Sequence, residues 1–103
     1  MIKSINGEEF KESTKEGFSI VDVYGIHCGP CQVLAKTMEE LDFDYPFLNI
    51  LKVCSDDNRE FCKEHKIMGV PTIFFVVDGK IKHKEVGALS ADKIMEIAGQ
   101  YMY

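Results

Sequence analysis

Hydrophobic residues follow two spacings along this chain. Phe18–Tyr24 is nearly all apolar, broken by Asp22, and Thr72–Val77 is another apolar run; both read as strands, and the first as one covered on both faces. Phe47–Val53 reads as the strand between them. Leu34, Met38 and Leu41 instead recur at i, i+4 and i+7, and Ile94, Ile97 and Ala98 share one face, the spacing of amphipathic helices. A short strand is expected over 1–5. A helix then opens at Asn6 or Gly7, with Glu8 and Glu9 complementing its dipole, and runs to about Lys15, where Gly17 ends it.

The second helix is expected from about Pro30 to Leu41 or slightly beyond, before Pro46, and a third from about Asn58 to His65, with N-cap oxygens offered by Asp56 and Asp57. Met68–Pro71 reads as a loop. Asp78-Gly79 fits a two-residue hairpin turn into a strand over Ile81–Val86, whose neighbourhood of Lys80, Lys82, Lys84 and Glu85 is the charge load of a sheet edge. Gly87 breaks that strand, and Ser90 caps a last helix. The order βαβαβαββα predicts an α/β fold: a central mixed five-stranded sheet, largely parallel, flanked by four helices, with residues 1–103 as one domain.

Composition narrows the function. The 103 residues are 46% hydrophobic, enough for one folded core, and carry a net charge of −5 from 17 acidic and 12 basic residues. The acid excess is spread along the chain and no stretch is strongly basic, which argues against nucleic acid as a partner. The N-terminus lacks the apolar region of a signal peptide and no run is long enough to span a membrane, so a cytoplasmic protein is expected; a trimmed secreted chain stays open as the alternative.

The chemistry concentrates in Cys28-Gly29-Pro30-Cys31, where the apolar strand stops and the second helix starts. The free N–H groups and positive dipole end of that helix favour a thiolate, the reactive form of cysteine. Pro30 suits the first turn, where its missing N–H is harmless. Two thiols at this spacing can exchange with a substrate disulfide: Cys28, nearer the tip, attacks, and Cys31, one turn inside, resolves the mixed disulfide. Asp22 interrupts an apolar strand. Either it is buried, with a raised pKa and able to accept the Cys31 proton, or it sits at an exposed strand end. Lys52, also in an apolar strand, would partly offset the burial. His27 either favours the thiolate as a cation or proton relay, or is an exposed loop residue without a role.

Over nearly its whole length the chain resembles the thioredoxin family. Val21-Asp22, Cys28-Gly29-Pro30-Cys31, Lys52, Gly69-Val70-Pro71-Thr72, Asp78-Gly79-Lys80 and Val86-Gly87-Ala88-Leu89-Ser90 carry the resemblance. It implies a dithiol–disulfide oxidoreductase that reduces protein disulfides, needs no cofactor beyond the Cys28–Cys31 pair, is re-reduced by a flavin-containing reductase and works as a monomer. Pro71 matches the family's cis-proline, Asp22 its buried carboxylate and Lys52 the neighbouring lysine. Gly29, Pro30, Val70, Pro71 and Gly87 would form the docking rim, with His27 and Met68 tuning preference. The chain departs from the family in having His27 where most members have Trp, Tyr24 where another Trp is frequent, and Lys36 for the helix-kinking proline, so a straighter second helix is expected.

Other readings remain. The same fold can serve as a thiol oxidant or disulfide isomerase, or as a binding module without turnover. Cys54 and Cys62 read as small, buried hydrophobes, Cys62 more so, with a regulatory disulfide between them as the alternative. A zinc site built from the four cysteines fits poorly, because the second pair lacks the close spacing of zinc ligands, and no metal is expected.

Overall fold

The computed structural model describes residues 1–102. Strands β1 (Ile2–Ser4), β2 (Phe18–Tyr24), β3 (Asn49–Cys54), β4 (Thr72–Val77) and β5 (Lys80–Val86) alternate with helices α1 (Phe10–Thr14), α2 (Gly29–Asp44), α3 (Arg59–Glu64) and α4 (Ala91–Tyr101). Short 3-10 turns at Gly7–Glu9 and Ser55–Asp57 lead into α1 and α3. The sheet has the order β1-β3-β2-β4-β5, with β1, β3 and β2 parallel and β4 and β5 antiparallel to their neighbours. This is the mixed five-stranded sheet with four helices that the pattern predicts, but less parallel than expected, because β2 and β4 also pair antiparallel.

β2 lies at the centre and is covered on both faces, which is why its sequence is nearly continuous in apolar residues. Ile20 joins Leu34, Met38, Ile50, Phe75 and Ile94 in the core beneath α2 and α4. Its neighbours Val21 and Val23 face the opposite core, with Phe10, Leu51, Phe61 and Phe74. Period-two alternation divides one strand between two cores, so Asp22, two residues from Ile20, takes the α2 side.

Local chemistry sets the ends. Asn6 and Glu9 form a reciprocal capping box, the Glu9 amide donating to Asn6 Oδ1 at 3.0 Å and the Asn6 amide to Glu9 Oε1 at 2.9 Å. Asp78 and Gly79, at φ 48° and 80°, make the two-residue hairpin turn, and Asp78 Oδ1 accepts the Gly17 amide at 2.8 Å.

Two expectations, the start of β3 and the cap of α3, are corrected. α2 begins at Gly29, where the Cys28 sulfur caps it, and runs slightly beyond Leu41 to Asp44, as expected; Pro46 keeps Tyr45 out of the helix. It is unbroken across Lys36. β3 starts at Asn49 rather than Phe47, since Phe47 is 69% exposed in the turn after Pro46. Asp56 and Asp57 do not cap α3. They lie in the 3-10 turn before it, and Asn58 holds the cap position while its side chain accepts the Gly7 amide and donates to the Cys54 carbonyl, each at 2.8 Å.

That bridge brings Gly7 close to α3. A β-carbon on Gly7 would stand 2.7 Å from Phe61 Cβ, an atom too near the backbone to turn away. Gly7→Ala is expected to lower stability by about 1–3 kcal/mol. Gly99→Ala, in an exposed part of α4 with open space around it, is expected to raise stability by about 0.5–1 kcal/mol. Urea midpoints of the two variants that move the same way would contradict this account.

Candidate functional site

The site forms where β2 leaves the sheet. After Tyr24 the loop Gly25–His27 turns the chain over, and Cys28, still extended at φ −146°, becomes the N-cap of α2. Cys28 and Cys31 are joined by a disulfide. The Cys31 amide points at Cys28 Sγ at 3.2 Å, and the Gly25 amide at Cys31 Sγ at 3.5 Å. Cys28 is half-buried, whereas Cys31 is only 4% exposed. Sulfur at this cap faces the positive end of a 16-residue helix, which stabilises a thiolate when the bond is reduced.

The loop before β4 closes the other side. The Val70–Pro71 peptide is cis, and the Val70 carbonyl oxygen lies 3.8 Å from Cys28 Sγ. The Pro71 carbonyl accepts the Gly87 amide at 2.8 Å and the Gly69 carbonyl accepts the Thr72 hydroxyl at 2.6 Å, so the loop is tied to its own strand and to the end of β5.

Asp22 is fully buried, and neither of its carboxylate oxygens has a hydrogen-bond partner among the described residues. Burial raises its pKa from 3.8 to about 6, with Lys52 pulling it back. Lys52 pairs with Asp22 in the parallel register of β2 and β3, yet its ammonium lies over the Tyr24 ring, 4.8 Å from the centroid. The lysine therefore acts on the carboxylate through its field rather than through a direct ion pair.

Around the disulfide, Gly29 and Pro30 are exposed, Val70 and Gly87 are half-buried, and Pro71 is buried. Pro71 was expected in the open rim; as the entry to a strand buried on both faces, its ring is covered. The exposed apolar surface comes instead from Ile26 at 56%, Met68 at 96% and Val86 at 61%. Met68 is thus a surface residue. Ile26 and Val86 escaped the sequence reading. Their signal is slight: an aliphatic residue in a polar loop, and one at the end of a charged edge strand. His27 is exposed on the loop beside Cys28.

Cys54 and Cys62 are free and half-buried, less covered than expected for core positions. Cys54 Sγ lies 4.0 Å from Asp56 Oδ2 and Cys62 Sγ 3.9 Å from the Ser55 carbonyl. Burial, with Asp56 and Cys54 nearby, pushes the Cys62 thiol up. Among the described residues, no three His, Cys, Asp or Glu side chains are grouped as metal ligands. A hollow of about 900 Å³ lies against Phe10, Phe61 and His65 and is lined by neither Cys28 nor Cys31.

The thioredoxin family model matches residues 1–100. A thioredoxin of Chlamydia trachomatis is 27% identical, across 98% of this chain and 99% of its own length. A thioredoxin of Bacillus subtilis is 29% identical across 92% of each chain, and one of Listeria monocytogenes 28% identical across 99% of this chain and all of its own.

The state of Asp22 makes stability depend on pH. The unfolded chain ionises this carboxyl near 3.8 and the folded protein only near 6. The folded state is therefore penalised progressively as pH rises through that window and fully above it, while below it both forms are protonated. Asp22→Asn removes the penalty. The variant is expected to exceed the parent in stability by about 3 kcal/mol at pH 8, with the gain fading towards pH 4. Urea unfolding of the disulfide form at several pH values tests this; a difference that stays constant with pH would sink it.

Proposed function

We propose, from the premise that this chain belongs to the thioredoxin family and is a thiol–disulfide oxidoreductase that reduces protein disulfides, that Cys28 is the attacking sulfur and Cys31 the resolving one. The observation that carries this assignment is their difference in access: Cys28 caps the helix at the half-exposed tip, and Cys31 is buried one turn behind it.

In the reduced protein the Cys28 thiolate attacks one sulfur of a substrate disulfide. A mixed disulfide forms, and the other substrate sulfur leaves as a thiolate that takes up a proton. Cys31 then loses its proton and attacks Cys28 Sγ. The Cys28–Cys31 bond forms, and the second substrate sulfur leaves. Two electrons pass from the dithiol to the substrate, and a reductase returns them. Asp22 takes up the Cys31 proton in the second step; a buried carboxyl with pKa near 6 is ionised at neutral pH and can accept it. Lys52 keeps that carboxylate from becoming still harder to ionise.

An extended substrate segment pairs with the main chain at Val70, beside cis-Pro71, within reach of Cys28. Gly29, Pro30 and Gly87 leave room for it, and Ile26, His27, Met68 and Val86 contact its side chains. Backbone pairing tolerates many sequences, so the substrate class is broad. Residues 1–103 act as one domain and as a monomer. The proposed donor is a flavin-containing thioredoxin reductase and the proposed place of work the cytoplasm. No helix among the described residues is long and apolar enough to cross a membrane.

Trapping tests the order of attack. Cys31→Ser is expected to accumulate a covalent mixed disulfide with a substrate protein such as insulin, mapped by mass spectrometry to Cys28. Cys28→Ser is expected to trap little and to lose disulfide-reducing activity by at least about 10³-fold, as removal of a nucleophile does. Substrate held on Cys31 instead would reverse the assignment. Full activity without Cys28 would remove the exchange mechanism.

A further inference from the structure

We propose that Asp56 is a positioning residue for the exchange: its carboxylate anchors the Gly25–His27 loop so that the Gly25 amide is presented to the sulfur of Cys31. β2 and β3 pair in parallel as far as Tyr24 beside Cys54. Past that point the strands separate, and the Ile26 amide has left the ladder. Asp56, two residues beyond Cys54, supplies its acceptor, Oδ2 receiving the Ile26 N–H at 2.8 Å. The preceding amide, of Gly25, donates to Cys31 Sγ at 3.5 Å. One short loop thus holds adjacent amides on two different acceptors, the carboxylate and the redox sulfur.

The joint between them is Gly25, the residue type with the widest backbone freedom. A β-carbon there would come within 3.1 Å of Val70 Cγ2, 3.6 Å of Cys28 Cβ and 3.8 Å of Asp56 Oδ2, so this glycine threads between the attacking cysteine, the substrate-side loop and the carboxylate. Its direction is set by what holds its flanks. The base of the anchor is firm: the Asn58 side chain ties the Asp56 turn to Cys54 and Gly7, and the Asn58 amide closes that turn on the Ser55 carbonyl at 3.3 Å.

An N–H donated to sulfur is strengthened when the sulfur is ionised and favours that form. Cys31 must become a thiolate to resolve the mixed disulfide, and the Gly25 amide is in place to hold the charge as the proton leaves. The Asp56 charge itself works the other way, because one negative charge disfavours another nearby. Anchor and charge therefore pull Cys31 in opposite directions, and two substitutions separate them. Asp56→Asn keeps an acceptor oxygen and drops the charge. Asp56→Ala drops both. Asp22 and Lys52 on the sheet face beneath α2, and Tyr24, Cys54, Asp57 and Cys62 around the turn, are common to the two variants, so their influence cancels in the comparison.

The inference rests on the resolving role proposed for Cys31. Its test is to titrate Cys31 in the reduced full-length protein, the cysteines labelled with carbon-13 at Cβ, and to follow exchange of the Ile26 amide. Cys31 is expected to titrate at higher pH in Asp56→Ala than in Asp56→Asn, a split of about half a pH unit or more, roughly threefold in acid dissociation. The Ile26 amide is expected to exchange at least about tenfold faster in the alanine variant. A residue that served stability alone would lower the urea midpoint without splitting the two titrations. Coincident Cys31 titrations overturn the proposal, and so does an Ile26 amide protected equally in both variants. If trapping instead put the substrate on Cys31, the resolving role would fall while this titration still reported on the anchor.

Discussion

The sulfur of Cys28 accepts the Cys31 amide at the first turn of α2, and through that hydrogen bond the reagent of the chemistry is also the cap of the helix. The helix can start there only because β2 ends there, and β2 ends there because its buried length is fixed by the two cores it divides. The central strand, the loop and the helix are thus one mechanical unit. Cys28 meets solvent at the half-exposed tip, whereas Cys31 is buried one turn deeper.

Asp22 sets the opposite condition. A buried carboxylate with no hydrogen-bond partner among the described residues is destabilising at neutral pH, and the fold could replace it with an apolar residue of similar size. Its presence is consistent with a use in proton transfer, since desolvation brings its pKa towards neutrality. Lys52 moderates the effect from a distance. Seated on the Tyr24 ring, its ammonium remains close enough to be felt and too far to form an ion pair that would hold the carboxyl permanently ionised.

Much of this was legible in the sequence, because the strongest signals are local. The apolar runs of β2 and β4 have the observed bounds, and Asp78-Gly79 makes the turn its residue types dictate. The same holds for Cys28-Gly29-Pro30-Cys31 at a strand-to-helix junction. What stayed hidden depends on partners distant in the chain. Asp56 has the sequence profile of a helix cap, but its carboxylate is taken by Ile26, thirty residues earlier. Val86 meets the loop before β4 only once that loop and the end of β5 are brought together at Gly87 and Pro71. The burial of Asp22 was legible from the two-sided apolar strand, but that neither oxygen has a partner among the described residues follows from how the sheet is covered.

The substitutions at the loop bear on how it keeps its shape. The chain has no tryptophan, and the loop before Cys28 carries His27 and Ile26 with both side chains largely in solvent. Such a loop gains little from apolar burial, since an exposed aliphatic side chain contributes none of the roughly 1.5–3 kcal/mol that full burial would give. Its order has to come from directional bonds. The Ile26 amide on a carboxylate is of the stronger, charge-assisted kind, reduced by its exposure to solvent, and the Gly25 amide on sulfur adds a second restraint within the same three residues. A loop held by hydrogen bonds rather than by a packed ring leaves its apolar side chains free for a substrate. It also places the geometry of the redox site under the control of one acidic residue outside the motif.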